Sequence, residues 1–173
     1  MVGKRGARGE VEVEVARALR HVLIVGGTAA EWNAFGDHAW AGRRADLAKA
    51  SAHAGAHWLT MFPYSQSAPA QTPAVARLVE VHEDCTVIVD PSADGKARLL
   101  AAIASELMAP AQCEPDLTII LGPSTRLPPS LVWELAYSEI VFLEVCWSEL
   151  TAVHVEHAID EFSRRHRRFG GLG

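Results

Sequence analysis

The stretch at residues 21–28 constrains the fold more than any other part of the chain. It reads His-Val-Leu-Ile-Val and runs directly into Gly26, Gly27 and Thr28. Branched apolar residues in a row are typical of a buried strand, and a glycine turn followed by a hydroxyl cap begins a helix. Ligands of parallel α/β sheets bind at the carboxyl ends of the strands, so this loop is a candidate phosphate site. A turn that simply requires glycine explains the same residues, because the further glycines of a dinucleotide fingerprint are missing.

The rest of the chain alternates strands with helices. We predict strands at 21–25, 57–62, 85–89, 117–121 and 140–145, and helices at 10–20, 35–54, 74–82, 96–108, 129–137 and 151–168. This alternation indicates an α/β fold with a mostly parallel central sheet and helices on both faces. We find no repeat and no second domain, so residues 10–173 form a single domain behind a flexible tail at 1–9.

Composition and charge argue against several classes of function and location. The chain has 173 residues and a formal net charge of −5, which argues against a broad nucleic-acid-binding surface. No apolar run approaches the roughly 20 residues that cross a bilayer, and residues 1–10 lack the apolar core of a signal peptide. The three cysteines are odd in number and far apart, which indicates free thiols in a reducing compartment. We therefore predict a cytoplasmic protein.

The C-terminal third carries motifs of a known family. Residues 131–142 read Leu-Val-Trp-Glu-Leu-Ala-Tyr-Ser-Glu-Ile-Val-Phe, and residues 164–171 read Arg-Arg-His-Arg-Arg-Phe-Gly-Gly. Both closely resemble the cis-prenyltransferases, the undecaprenyl diphosphate synthase family. Further matches are Pro115-Asp116-Leu117, His21-Val22 with Trp32, and Leu59-Thr60 leading to Ser65. The resemblance implies a shortened cis-prenyltransferase-like fold, condensation of isopentenyl diphosphate with an allylic diphosphate, and Mg²⁺ as the cofactor.

The loop that carries the family's catalysis is altered. Where the family reads Met-Asp-Gly-Asn, this chain has Gly26, Gly27, Thr28 and Ala29. Gly27 therefore replaces the aspartate that anchors Mg²⁺ and the allylic diphosphate. Glu31 replaces an arginine and places negative charge where a diphosphate should bind. Each lost interaction with developing charge removes several kcal/mol of transition-state stabilisation, so the resemblance leaves no catalytic residue and little activity from this chain alone.

Other ligand positions of the family are retained. Arg126 and Ser124 align with the isopentenyl diphosphate site, although the first arginine and the glutamate of that motif are gone. Arg168 and Gly170 keep an Arg-x-Gly motif that in the family reaches the substrate phosphates of the partner subunit. Glu139 aligns with a carboxylate that binds Mg²⁺ across the site. A locally paired carboxylate at Glu139 and an ordinary loop serine at Ser124 explain those two residues without a ligand. The resemblance thus implies Glu139 as a metal ligand and, as substrate-binding residues, Arg126, Ser124, Arg168, Gly170, Gly26 and Thr28.

The chain is also shorter than the family between Ser65 and Glu114. One strand–helix unit and the helical wall of the product tunnel are missing, and residues 85–90 can be aligned with either of two family strands. The deleted unit therefore stays unassigned.

Three hypotheses of function follow. The first is a non-catalytic accessory subunit of a heteromeric cis-prenyltransferase, which pairs with a catalytic homologue, shares its Mg²⁺ and donates Arg168 and Gly170. The second is a diverged prenyltransferase that makes a short or branched isoprenoid or prenylates another acceptor, using Glu139 and Arg126. The third is a homodimeric binding protein with a vestigial site. Product length, the identity of the partner and the choice between homodimer and heterodimer stay open.

Overall fold

The computed structural model describes residues 18–64, 73–96, 98, 100, 113–125, 127–128, 131 and 134–165. The strands in this part of the chain are β1 (His21–Val25), β2 (Trp58–Phe62), β3 (Leu78–His82), β4 (Cys85–Val89), β5 (Leu117–Leu121) and β6 (Glu139–Leu143). The helices are α1 (Ala29–Ala34), α2 (Asp37–His53) and α3 (Ala152–Arg164), with short 3-10 helices at Glu134–Ala136 and Trp147–Glu149. Residues 95, 96, 98 and 100 are also helical.

The six strands form one sheet in the order β3-β4-β2-β1-β5-β6. Five of them are parallel, and only β3, at the end of the order, runs antiparallel to its neighbour. Val22 of β1 lies opposite both Leu59 of β2 and Leu117 of β5. We call the edge where the parallel strands end the carboxyl edge and the edge where they begin the amino edge. The predicted α/β class with a mostly parallel sheet is confirmed.

Successive residues of each strand point to opposite faces of the sheet and pack into two separate apolar layers. On the helical face, α2 and α3 pack against a layer whose strand residues include Val22, Ile24, Leu59, Met61, Leu117, Ile119 and Val141. On the opposite face, a smaller layer contains Leu23, Val25, Phe62, Ile120 and Leu131. The 3-10 helix at 134–136 contributes Leu135 to this second layer. The sheet is therefore buried on both faces, as parallel sheets require.

The predicted helix at 74–82 is wrong. Residues 78–82 form β3, which joins β4 through a two-residue turn with Glu83 at a φ of +52°. Leu78 and Glu80 are half-buried whereas Val79 and Val81 are exposed, which is the period of two of a strand. The apolar spacing at 75–82 fits a helix as well as a strand, and antiparallel pairing with β4 decided between them.

Other element boundaries differ from the predictions by smaller amounts. The predicted helix at 35–54 starts at Asp37, and a separate helix, α1, precedes it. Strand β6 begins one residue before the predicted start and ends two residues before the predicted end. Of the predicted helix at 10–20, residues 18–20 are not helical, and residues 1–17, including the predicted tail, lie outside the described residues. No helix in the described residues is long and apolar enough to cross a membrane.

Candidate functional site at the carboxyl edge

The loop after β1 is tied to the end of β2. The backbone N–H of Gly26 donates to the carbonyl of Phe62 at 3.1 Å, and the N–H of Tyr64 donates to the carbonyl of Gly27 at 2.7 Å. The indole Nε1 of Trp32 donates to the carbonyl of Gly26 at 2.8 Å. Gly27 has a φ of +76°, a left-handed conformation that glycine adopts without strain. The loop is thus held at the carboxyl edge in a shape that depends on glycine.

Three tryptophans fill the space beside Gly27. The rings of Trp32 and Trp147 stack with centroids 5.1 Å apart and planes at 14°, and Trp40 packs against both. A Cβ atom at Gly27 would lie 2.6 Å from Cγ of Trp147 and 2.7 Å from Cδ1 of Trp32. Real Cβ atoms do not approach other atoms so closely. No side chain fits at Gly27 in this packing, so the position that the resemblance aligns with the family's aspartate is closed.

The carboxylate of Glu31 accepts hydrogen bonds from Thr28, the residue that caps the start of α1. Its Oε2 accepts from the N–H of Thr28 at 2.7 Å and from the hydroxyl of Thr28 at 2.9 Å. The N–H of Glu31 donates back to the Thr28 hydroxyl at 3.2 Å, which completes a capping box. A phosphate could use these donors only by displacing a negative charge. Phosphate binding by Gly26 and Thr28 stays a prediction, and this contact opposes it.

Glu139 lies at the amino edge, at the opposite end of the strands from the loop at 26–28. It is opposite Leu117 at the amino end of β5, whereas Val25 is opposite Ile120. The loop after Val25 is therefore about four residues, or about 13 Å, farther along the strands. The guanidinium of Arg165 lies 3.8 Å from Oε2 of Glu139. Within one chain, Glu139 and the loop at 26–28 cannot hold the same ion.

Of the remaining predicted site residues, Ser124 alone lies within the described part of the chain. Ser124 is exposed in the turn after β5, at the carboxyl edge. Arg126, Arg168 and Gly170 lie outside the described residues. Helix α3 runs back to the amino edge, where Arg165 Nη1 donates to the carbonyl of Ile140 at 2.5 Å. The described residues therefore bring together only Gly26, Gly27, Thr28 and Ser124 on one edge.

The oxygen ligands beside the loop at 26–28 do not fit the Mg²⁺ site that the resemblance implies. This ion takes carboxylates in near-octahedral geometry. Gly27 has no side chain, Glu31 caps α1, and Asp90 Oδ1 accepts from the N–H of Ser92 at 2.9 Å. The described part of the chain contains no group of three His, Cys, Asp or Glu side chains that could hold a metal ion. Among the described residues, the position that the resemblance aligns with the family's metal ligand therefore has no carboxylate.

Sequence reasoning missed the role of a buried cluster at the amino edge. Asp116 is fully buried, and its Oδ2 accepts from the N–H groups of Arg20 at 2.9 Å and His21 at 3.2 Å. The His21 ring contacts the carbonyl of Cys113 at 2.8 Å and the hydroxyl of Thr60 at 2.9 Å. Burial lowers the pKa of His21, although the Cys113 carbonyl and the Asp116 charge oppose that shift. The motif matches at 21–22 and 115–117 were the available signal.

An ion pair on the opposite face was also missed. The guanidinium of Arg98 lies 3.9 Å from the centre of the Phe62 ring. Its Nη1 donates to the carbonyl of Ser92 at 2.9 Å, and its Nη2 donates to Oε1 of Glu134 at 3.1 Å. The side chains of Arg98 and Glu134 are only 12% and 8% exposed. No spacing in the sequence links these two residues, which are 36 positions apart.

Several curated proteins match part of the chain. One is isoprenyl transferase 2 of Bradyrhizobium diazoefficiens, 44% identical over 70 residues, which are 40% of this chain and 28% of that protein. Another is the ditrans,polycis-undecaprenyl-diphosphate synthase of Lactiplantibacillus plantarum that is specific for (2E,6E)-farnesyl diphosphate. It is 41% identical over 76 residues, which are 44% of this chain and 29% of that protein. The chain thus spans less than a third of the length of these two relatives.

A solved structure and a family model extend the comparison. The lavandulyl diphosphate synthase of Lavandula x intermedia, solved with dimethylallyl diphosphate, has a TM-score of 0.53 and 13% identity. It covers 87% of this chain and 97% of its own, and it shows the shared fold. The prenyltransferase family model described as undecaprenyl diphosphate synthase matches residues 42–170, well over half of the chain. The chain therefore belongs to the undecaprenyl diphosphate synthase family of prenyltransferases.

Proposed function

We propose that this protein is a non-catalytic accessory subunit of a heteromeric cis-prenyltransferase. Its partner is a catalytic homologue that condenses isopentenyl diphosphate with an allylic diphosphate. The observation that carries the proposal is the packing of Gly27 beneath Trp32 and Trp147, which leaves no room for a metal-binding side chain. The isoprenoid diphosphates and Mg²⁺ then bind at the partner's site, and the mixed complex works in the cytoplasm.

The energetic argument supports a dependent subunit. Removing one group that stabilises developing charge typically costs about 3–4 kcal/mol, or a factor of 10²–10³ in rate. Here the aspartate position is Gly27, an arginine position is Glu31, and the Glu31 carboxylate covers the donors of Thr28. Such losses together leave no measurable turnover by the family's usual chemistry.

The direction of α3 supports donation to a second subunit. The helix ends at Arg164, and Arg165 contacts Glu139 and Ile140 at the amino edge. The segment that carries Arg168 and Gly170 therefore starts from the edge opposite to the chain's own loop at 26–28. A segment that starts at the amino edge is better placed to bring Arg168 and Gly170 to the phosphate site of another subunit than to the loop of its own chain.

Co-expression with a complete homologue tests the proposal. We expect a stable mixed complex that incorporates labelled isopentenyl diphosphate. In this complex, Arg168→Ala in the accessory chain should lower kcat at least tenfold without dissociating the subunits. Arg164→Ala is the matched control, because this cation is exposed and lies 3.9 Å from Asp160 on its own helix. A control complex that loses as much activity as the Arg168→Ala complex would contradict donation by Arg168.

The other two hypotheses give different results in the same experiment. A diverged prenyltransferase would turn over substrate without the homologue, and Glu139→Ala or Arg126→Ala would abolish that activity. A vestigial homodimer would form no mixed complex and would give no binding heat with isoprenoid diphosphates and Mg²⁺.

A further inference from the structure

Strand β3 has an open outer side, opposite to its neighbour β4. The two-residue turn between these strands pairs His82 with Cys85, so Glu80 and His82 direct their backbone N–H and carbonyl groups toward β4. The same groups of Val79 and Val81 point away from β4. No other strand in the described part of the chain pairs with them, because β3 is the first strand of the sheet order. The outer side of β3 therefore offers donors and acceptors to an additional strand.

The side chains of these two valines are exposed as well. Val79 is 46% exposed and Val81 is 68% exposed. Outer strands of natural sheets commonly avoid association through charged side chains, bulges or proline. The residue between the valines is Glu80, but its carboxylate accepts from Nη2 of Arg44 at 3.3 Å and contacts the His82 ring at 2.8 Å. The charge of Glu80 is thus directed at its own chain and leaves the valines open to a second strand.

The charges beyond the valines are complementary to a second copy of the same strand. Arg77 lies two residues before the valines and Glu83 two residues after them, and both are exposed. When two β3 strands pair antiparallel about a two-fold axis at Glu80, Val79 of each copy lies opposite Val81 of the other. Arg77 then lies opposite Glu83 of the second copy, and opposite charges across a strand pair are stabilising. Shifting one copy by two residues would place a valine opposite Arg77 or Glu83, so the register centred on Glu80 is favoured.

One contact in this register is between like charges. Glu80 of each copy lies opposite Glu80 of the other, on the face of β3 that packs against α2. Like charges in this arrangement are destabilising, but each carboxylate is paired with the Arg44 guanidinium of its own chain. The repulsion therefore acts between two neutralised pairs.

We propose that two copies of this chain associate through β3, in the antiparallel register centred on Glu80, and join their sheets into one. The interface is isologous, since each copy contributes the same strand. It lies at the opposite end of the strand order from β6, which carries Glu139 and contacts Arg165. A corollary, which rests on the proposed function, is that the β6 end of each copy stays available to a catalytic homologue. The mixed complex then contains two copies of each subunit.

Analytical ultracentrifugation of the full chain without the homologue tests the association. Val81→Lys adds a charge to the outer side of β3 and removes no backbone hydrogen bond to β4. Val153→Lys is the matched control, because Val153 is 69% exposed and lies on α3, which packs beside β5 and β6. Arg77→Glu replaces each intermolecular ion pair by two like charges. Adding Glu83→Arg to Arg77→Glu restores the pairs with their charges exchanged.

We expect the wild-type chain to form a dimer at about 100 μM or below. Val81→Lys and Arg77→Glu should each weaken the dimer about tenfold, because every substitution acts twice in a two-fold interface. The exchanged-charge variant should dimerise about as well as the wild type, and so should Val153→Lys. Hydrogen exchange at the amides of Val79 and Val81 should slow as the dimer forms.

A wild-type chain that stays monomeric at about 100 μM overturns the proposal whether or not the variants fold. A dimer that Val81→Lys and Arg77→Glu leave unchanged overturns it as well, since association then uses another surface. So does an exchanged-charge variant, shown to be folded by its thermal melt, that dimerises no better than Arg77→Glu. Failure of the mixed complex to form would reject only the accessory role, because the association through β3 is measured without the homologue.

Discussion

The charged groups at the two edges of the central sheet have different kinds of partner. At the carboxyl edge, Gly27 is covered by tryptophan rings, and Glu31 turns its carboxylate onto the cap of its own helix. At the amino edge, Asp116 and Glu139 each lie 3.8 Å from an arginine nitrogen. The amino edge therefore carries carboxylates that pair with arginines, whereas the carboxyl edge has no room for a side chain at Gly27, the position that the resemblance aligns with the family's aspartate. The interactions that hold the fold at the amino edge are thus separate from the packing at the candidate site.

Placing an aspartate at position 27 gives the largest expected effect. Gly27→Asp should lower the free energy of unfolding by about 3 kcal/mol or more, because left-handed strain and overpacking each cost about 1–3 kcal/mol. The added Cβ would meet Trp147 and Trp32 at less than 3 Å. Urea denaturation measures the change.

Gly42→Ala is the control for that variant. Gly42 lies inside α2, and a Cβ there would meet nothing within 4 Å. We expect alanine to stabilise the protein by about 0.5–1 kcal/mol, since it loses less backbone entropy on folding. If Gly27→Asp proves as stable as the wild type, the carboxyl edge is open and the closed-site argument is lost.

The buried carboxylate at the amino edge gives the next largest effect. Asp116→Ala should cost about 3 kcal/mol, because the N–H groups of Arg20 and His21 both lose their acceptor. Asp160→Ala is the control, since its ion pair with Arg164 is exposed and should contribute less than about 0.5 kcal/mol. Equal stability losses in the two variants would show that the amino edge does not depend on Asp116.

Acid should weaken the amino edge through His21. Burial lowers the pKa of His21 below its ordinary value of 6.5, so the folded state disfavours the protonated ring. The resulting stability is complete above about pH 6.5 and is lost as the pH falls from there toward the folded-state pKa. One proton contributes a slope of at most about 1.4 kcal/mol per pH unit. Unfolding between pH 7.5 and 5 should show a smaller slope for His21→Gln, and an unchanged slope would rule out this residue as the source.

The capping box at the carboxyl edge gives the smallest effect. Glu31→Ala should cost about 1 kcal/mol, because the N–H of Thr28 loses its partner at the start of α1. Glu31→Gln should retain most of that stability, since an amide oxygen still accepts the bond. Thermal melts of both variants check this. A Glu31→Ala protein as stable as the wild type would mean that the carboxylate does not hold these donors.

The strands were easier to predict than the connections between them. The sequence at 21–25, 85–89 and 117–121 specifies its strands because buried parallel strands are continuous apolar runs. Residues 78–82 were misassigned, since their spacing also fits a helix and the pairing with β4 is a tertiary contact. The turn at Glu83 has a positive φ in a residue that rarely signals one.

The sequence indicates the loop of the candidate site. It does not predict the packing of tryptophan rings that fills the space beside Gly27. The glycines at 26 and 27 mark the loop, and the capping residues at 28 and 31 are visible in the sequence. The stacking of Trp147 on Trp32 joins residues 115 positions apart, so only the fold reveals it. For the same reason the buried pair of Arg98 and Glu134 could not be predicted.

Incorporation of labelled isopentenyl diphosphate by the purified chain, with an allylic diphosphate and Mg²⁺, tests the central claim most directly. Gly27 has no side chain and no room for one, and the N–H and hydroxyl of Thr28 both donate to Glu31. We expect product no higher than in a reaction without protein, and full activity after a catalytic homologue is added. Turnover by the chain alone at ordinary enzyme rates would contradict the account.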